Sequence, residues 1–291
     1  MPTSLPCDRA DHWDRPNRSW YERPGRLREH GPVTAIVALV NQKGGVGKTS
    51  VTLGLTSAAR AAGHRVLVVD LDPQASATWV LGVDPLGVER STSDLLHKGK
   101  TGSAERAVTA SGWGELVDVV PAGPGLQDYE SGDGKHPAGR LRSALDGATG
   151  RYDLVLVDCA PSLGNLTLNA LTAATHAVVV VEPAALSLRG VGAVADVIDQ
   201  VWADHNSELD LAGVIVNKVP AVSSEADRRY DELTRIVGKK AVWRPVVPAR
   251  VVVNQATADR RPIHAYGHRA TEVIDAFDQL YAKLRRVTRK F

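Results

Sequence analysis

The stretch TAIVALVN-QKGGVGKT-SVTLGLTSAARAAG, residues 34–63, decides the fold. Its first eight residues, 34–41, are an apolar run rich in β-branched side chains, and residues 49–63 have the composition of a helix. Gly44-Gly45-Val46-Gly47-Lys48-Thr49 therefore lies between a strand and a helix, where glycines let successive backbone N–H groups wrap a phosphate. The positive end of the following helix adds to that attraction. Lys48 is placed to reach the β- and γ-phosphates of a nucleotide, and the Thr49 hydroxyl to bind Mg²⁺. A glycine turn carrying a chance lysine is the bland alternative, and it does not account for the flanking strand and helix.

Outward from this segment, short apolar runs alternate with helical patterns. The runs are HRVLVVDLD, LVDVVPAG, RYDLVLVDCA, THAVVVVEP, LDLAGVIVNKV and KAVWRPVVP. Such alternation implies βαβ units in an α/β fold, with a mostly parallel twisted sheet and helices on both faces. The runs are apolar nearly throughout, as strands covered on both sides must be. Residues 33–291 are expected to form a single domain of this kind, whereas residues 1–32 carry six Arg against five acids, scattered Pro and no apolar period. That N-terminal extension reads as disordered, although Trp13, Trp20 and Tyr21 leave a partner-docking segment open. Residues 121–140 (PAGPGLQDYESGDGKHPAGR) read as a loop or a loosely ordered connection.

The composition narrows the classes of function. With 291 residues, 43% hydrophobic and 23% charged, the chain can bury one substantial core. No run approaches the length of about 18 apolar residues that a membrane-spanning helix requires, and the N-terminus lacks the apolar centre of a signal peptide. A soluble, cytoplasmic protein is expected. Cys7 and Cys159 make neither a CxxC pair nor a metal-ligand cluster, which argues against structural zinc and against a bridging iron–sulfur cluster. Cys159 reads as a space-filling thiol.

Three aspartates end apolar runs. Asp70 and Asp72 close the second, and Asp158 closes Leu154-Val155-Leu156-Val157, which puts their carboxylates at the C-terminal sheet edge where open α/β sheets bind ligands. Asp158 has the form of a strand-end carboxylate that holds Mg²⁺ directly or through water. Capping of the next helix is the alternative for that residue alone.

The glycine loop also departs from its usual pattern. A glycine is expected with four residues between it and Gly47-Lys48-Thr49, yet Gln42 stands there and Lys43 follows it. The run from Lys43 to Thr49 resembles the deviant Walker A box of the ParA/MinD family, and Asp70-Leu71-Asp72-Pro73-Gln74 is similar to its DxDPQ box. The resemblance reaches nearly all of residues 34–291 and is strongest to the ParA/Soj partition ATPases. It implies a P-loop ATPase fold with ATP and Mg²⁺ as ligands. It assigns nucleotide binding to Lys43, Gly44, Gly45, Val46, Gly47, Lys48, Thr49 and Ser50, and metal binding to Thr49 and Asp158. Lys43 would reach across a dimer interface to the partner's nucleotide, and Asp72 would orient the attacking water, with Asp70 structural or part of the Mg²⁺ shell. A surface lysine at a loop edge is the plain alternative for Lys43.

Asn217-Lys218, at the end of GVIVNKV, stands where related ATPases contact adenine, and Pro248 begins a segment resembling their nucleotide-contacting loop. Departures are modest. Ala160 replaces the first proline of the family's DxPPS switch, Ser50 replaces a frequent threonine, and Asn254-Gln255-Ala256 replaces Ser-Glu-Ala.

The last helical pattern places Ala270, Val273, Ile274, Phe277, Leu280, Tyr281, Leu284 and Val287 on one face. Beyond Asp278 there are no acids, and Lys283, Arg285, Arg286, Arg289 and Lys290 crowd the end. With Arg250 these form the candidate DNA-binding set, suited to phosphates without sequence readout, although basic residues also satisfy helix C-termini. The resemblance implies an ATP-bound homodimer on non-specific DNA at the nucleoid, stimulated by a ParB-like partner, with no membrane. A MinD-like membrane-positioning ATPase and a positioning ATPase for a protein cargo are the alternatives. A DNA-binding autorepressor would need a recognition-helix region, which the sequence does not offer.

Overall fold

The computed structural model describes residues 34–131, 137–183 and 187–289, without the side chains of 187–189. The 1–32 extension and Lys290 lie outside the described residues. In chain order the elements are β1 (Ala35–Val40), α1 (Lys48–Ala61), β2 (Val66–Leu71), α2 (Ser76–Val80), α3 (Thr92–Lys98), β3 (Thr109–Ala110) and β4 (Val117–Val120). There follow α4 (Leu126–Ser131), α5 (Arg140–Leu145), β5 (Leu154–Cys159), α6 (Asn165–Ala173), β6 (His176–Val181), α7 (Ser187–Asp204) and β7 (Asp210–Val216). The chain closes with α8 (Ser224–Val237), α9 (Val251–Ala258), a kinked 3-10 stretch at Ile263–Ala270, and α10 (Thr271–Thr288).

The strands form one 7-stranded sheet in the order β3-β4-β2-β5-β1-β6-β7. Every ladder is parallel except β3 to β4. Strands β2, β5 and β6 are buried along their whole length, which is why they read as unbroken apolar runs. Side chains alternate between two cores. Val37 and Leu39 of β1 face the layer containing α1 and α10, while Ala38 and Val40 face the layer containing α6 and α7. Because β1 lies between β5 and β6, the glycine loop leaves the middle of the sheet, flanked by the strand ends that carry Asp158 and Glu182.

The structure corrects two expectations and adds an element. KAVWRPVVP does not form a strand: Val242 and Pro248 make single bridges to Val214 and Val219. Trp243 and Val247 donate to β7 carbonyls at 2.8 and 2.9 Å, but Pro245 and Pro248 have no N–H to give, so the ladder cannot run on. The segment 121–140 contains α4, whose Leu126 and Tyr129 are fully buried, where the flanking glycines suggest only a connection. The added element is β3, too short at two residues to leave a pattern.

The apolar face of α10 packs on α1 as expected. Val273, Phe277, Leu280, Tyr281 and Leu284 are buried, and a Cβ built on Gly54 of α1 would lie 2.2 Å from the Phe277 ring. Gly54→Ala should therefore destabilise by about 1–3 kcal/mol despite the better helix propensity of alanine. Phe277→Ala should cost about 3–5 kcal/mol. In urea titrations the double variant should lose less than the sum, because the new methyl occupies space that the ring vacates.

Candidate functional site

Asn41 follows β1 and shapes the loop: its amide nitrogen donates to Val180 O at 2.6 Å and its side-chain oxygen accepts from Lys43 N at 2.9 Å. Gly45 and Gly47 have φ of 81° and 87°, the left-handed region that glycine enters without strain. At Gly47 there is also no space, since a Cβ would come within 2.2 Å of the Asn217 amide. Helix α1 begins at Lys48 with no side-chain cap and no acid in its first turn, so its amide end is left for an anion. Lys48 is 6% exposed, and its Nζ donates to Asn41 O at 3.3 Å. Burial holds its ammonium pKa below the usual lysine value, with nearby Asp158 opposing that shift.

Asp70 and Asp158 are direct partners across the β2–β5 ladder, and both are fully buried. The hydroxyls of Thr49 and Thr52 donate to Asp158 at 2.7 and 3.1 Å. Asp70 accepts from the Thr78 N–H at 2.8 Å, the Thr78 hydroxyl at 2.7 Å and Asp72 N at 3.1 Å, which ties the end of β2 to α2. Of its two expected roles, this geometry supports the structural one. Burial raises the pKa of both, with the Asp70 charge adding to the effect on Asp158; Asp158 is pushed up to about 7 and Asp70 to about 6. Asp72 stands at the rim of this cluster, where its carboxylate accepts from Gln74 N at 2.9 Å. A hydroxyl and a buried carboxylate of raised proton affinity at one point are hard oxygen donors and fit a divalent cation. Cys159, a buried free thiol beside them, has its pKa pushed up by burial and so is held as an inert thiol.

Lys43 does not turn into its own cradle. Its ammonium pairs with Glu182 at the end of β6, and its side chain keeps 38% exposure. Asn217 donates to Val46 O at 2.9 Å and Gly47 O at 3.5 Å, so its side-chain amide braces the glycine loop. Lys218, in a left-handed conformation, bonds to Gly45 O beside it. Pro248 lies against Val219 at the same sheet edge. Ser50 lines a shallow groove with Leu53, Gly54, Val253, Ala256 and Phe277, on the α9 side of α1. Sequence reading passes over Glu182 and Thr52, and takes Lys218 only with Asn217 as an adenine contact. Glu182 has a usable signal, a carboxylate closing an apolar run as Asp70 and Asp158 do.

The expected basic set divides. Lys283 lies over the Trp243 ring at 5.4 Å and Arg285 pairs with His64, while Arg286 and Arg289 are exposed. These four sit at the C-terminal end of α10. Arg250 instead pairs with Glu272 at 2.8 Å, in the first turn of α10, on the order of 20 Å away by helix rise. A second basic group lies near Arg250 in sequence: Arg260 over Trp79 at 5.1 Å, and Arg261 and Arg269 against Tyr266 at 6.0 and 5.7 Å. Among the described residues no helix is long and apolar enough to cross a membrane.

A family model described as an AAA domain matches residues 34–211. The sporulation initiation inhibitor protein Soj of Bacillus subtilis is 33% identical over 238 residues, covering 81% of this chain and 92% of the relative. The chromosome partitioning protein ParA of Caulobacter vibrioides is 33% identical over 255 residues, covering 86% and 92%. Among solved structures, a Mycobacterium smegmatis protein described as cobyrinic acid a,c-diamide synthase, with bound ATP analogue and magnesium, superposes with a TM-score of 0.72 at 29% identity, covering 87% and 95%. MinD of Pyrococcus horikoshii with Mg-ADP matches in fold, with a TM-score of 0.67 at 24% identity, covering 87% and 96%. With a phosphate loop of this shape, the strand-end carboxylates and these relatives over most of its length, the chain belongs to the ParA/Soj family of deviant Walker A partition ATPases, within the ParA/MinD superfamily.

Proposed function

We propose that this protein hydrolyses ATP as a switch that pairs two copies on non-specific DNA and so partitions a chromosome or plasmid. The observation that carries the proposal is the position of Lys43, a half-exposed cation at the rim of a cradle that already has its own buried Lys48. A cation so placed can serve a facing copy's triphosphate, where a preplaced donor offsets charge that builds up in the transition state.

In this reading the backbone from Gly44 to Gly47, Ser50 in the first turn of α1, and Lys48 hold the phosphates, while Thr49 and Asp158 hold Mg²⁺. The metal, when bound, supplies charge neutralisation at the terminal phosphate oxygens. Asp72 orients the attacking water, and Asn217 and Pro248 border the nucleotide from the β7 side. A ParB-like partner raises a slow intrinsic rate and resets the pair, in the cytoplasm at the nucleoid. The buried apolar face of α10 speaks against the MinD-like alternative, because a membrane anchor would need that face free.

Lys43→Ala should still bind nucleotide, yet remain a monomer in light scattering with a non-hydrolysable ATP analogue under conditions where the wild type dimerises. If both proteins pair alike, or the wild type stays single, the pairing switch is wrong.

Arg286→Ala/Arg289→Ala and Arg261→Ala/Arg269→Ala should each weaken DNA binding by the ATP-bound form at low salt. For every phosphate that a subunit no longer neutralises, the plot of log affinity against log salt should flatten by about 0.9. An unchanged slope in either pair would remove that patch from the DNA surface.

Asp158 links pH to stability with a definite sign. Its folded-state pKa lies near 7 and above the unfolded value, so the folded form takes up protons first. Nucleotide-free protein should therefore lose stability as pH rises from about 4 to about 7 and level off beyond. Asp158→Asn should melt higher than wild type at pH 8 in chelator, an advantage that shrinks toward pH 5, and it should gain no further stability from Mg²⁺ with nucleotide. Parallel melting curves at the two pH values would contradict this.

A further inference from the structure

Helix α6 follows the switch segment Ala160–Gly164, yet its own sequence does not finish its N-terminus. Gly164 offers no side-chain cap, and the first turn contains no acid. The missing acceptor comes from another element. Glu130 of α4 accepts a hydrogen bond from Leu166 N at 2.9 Å through Oε2. Its other oxygen lies where a side chain at Gly164 would be, since a Cβ there would come within 2.3 Å of Oε1. The neighbouring residue adds a second tie: Asn165 donates to Tyr129 O at 3.3 Å, and Asn169 one turn on donates to the Tyr129 hydroxyl at 3.2 Å.

The loop so held reaches the phosphate cradle. Thr167 donates to Ser162 O at 2.8 Å, fixing the loop to the first turn of α6. Two residues after Asp158 the chain arrives at Ala160 and then Pro161, and a Cβ on Gly44 would lie in contact with that of Pro161 at 3.6 Å. A continuous path of contacts therefore runs from the Glu130 carboxylate through the start of α6 and the switch loop to the glycine beside Lys43.

We infer that Glu130 is a positioning residue for ATP hydrolysis: by capping α6 from outside, it fixes the height and angle of the loop 160–164 against the phosphate loop. This deepens the ATPase reading and rests on it. Glu130 acts through the start of α6 and the loop 160–164. Its effect belongs to the rate of the step, where a displacement of about 1 Å is felt strongly, and much less to nucleotide affinity, which the backbone of 44–47 and Lys48 supply.

The test uses the full chain and three proteins: wild type, Glu130→Ala and Glu130→Gln. Steady-state ATPase rates with MgATP are measured together with amide exchange over residues 160–166. Glu130→Ala should lower kcat about tenfold with KM within about twofold. It should also speed exchange in the loop and at Leu166. Glu130→Gln, whose amide oxygen can accept the same bond, should retain most of the rate and the protection.

A loss of rate in Glu130→Ala that tracks a fall in melting temperature and is not rescued in Glu130→Gln would mean a merely structural role and overturn the inference. So would unchanged kcat, or unchanged exchange. Wild-type protein with no ATPase activity would instead remove the enzymatic reading, and the exchange measurement would still decide whether Glu130 holds the loop.

Discussion

The constraint on which the rest of the molecule depends is the pairing of two buried carboxylates, Asp70 and Asp158, across adjacent parallel strands. Burial so deep makes each costly to ionise and raises the proton affinity of both, with the Asp70 charge adding to the cost at Asp158 and the Asp72 charge to that at Asp70. The fold contains it in three ways. Thr78 and Asp72 N–H saturate Asp70, Thr49 and Thr52 donate to Asp158, and buried Lys48 supplies one compensating cation. What remains is a deficit of positive charge at the one carboxylate whose hydrogen bonds come from the helix that follows the glycine loop. Such a site favours binding a proton, and a divalent cation relieves it better.

That arrangement places the candidate metal ligands, the glycine loop and the segment 160–164 on one frame. Strand β1 is central, so the loop it feeds has β5 on one side and β6 on the other, each ending in a carboxylate that meets a lysine or threonine of the loop. Bracing comes from further out. Asn217 and Lys218, at the end of β7, hold loop carbonyls, and α4 holds the start of α6. The groups that shape the cradle are thus drawn from strand ends between β2 and β7 on this side of the sheet. A nucleotide entering it would bear on the edge as a unit.

Much of this is legible in the chain itself. The glycine loop between a strand and a helix, and carboxylates at the ends of apolar runs, have local signatures, because strand burial and backbone curvature act over a few residues. KAVWRPVVP misleads because apolar content does not reveal whether N–H groups are available, and Pro245 and Pro248 remove them where a ladder needs them. Helix α4 is hidden by glycines on both sides, and its burial depends on α6, which is distant in sequence. Asn217 reads as an adenine contact from sequence alone. Its amide also braces the loop, a role set by the 171-residue separation between Asn217 and Val46 and so invisible to local pattern. The basic pair at Tyr266 escapes notice for a different reason: Arg261 and Arg269 stand on either side of the kink at Gly267 and meet one ring, which no regular period shows.

The ion pair of Lys43 with Glu182 bears on how the proposed pairing of two copies would be controlled. To reach a facing triphosphate, Lys43 must leave Glu182, so the contact opposes pairing. Both side chains remain partly exposed, at 38% and 23%, and a pair so open to solvent is worth no more than about 1 kcal/mol. That is less than a tenfold bias, too little to keep copies apart when a triphosphate is present. It is enough to hold the lysine in a defined place when none is, away from its own cradle and without the entropy of a free chain end. In the pairing switch proposed above, control would therefore rest with the charge of the nucleotide. Glu182 would keep Lys43 ready at the rim, and the additional phosphate of ATP over ADP would decide whether a second copy is met.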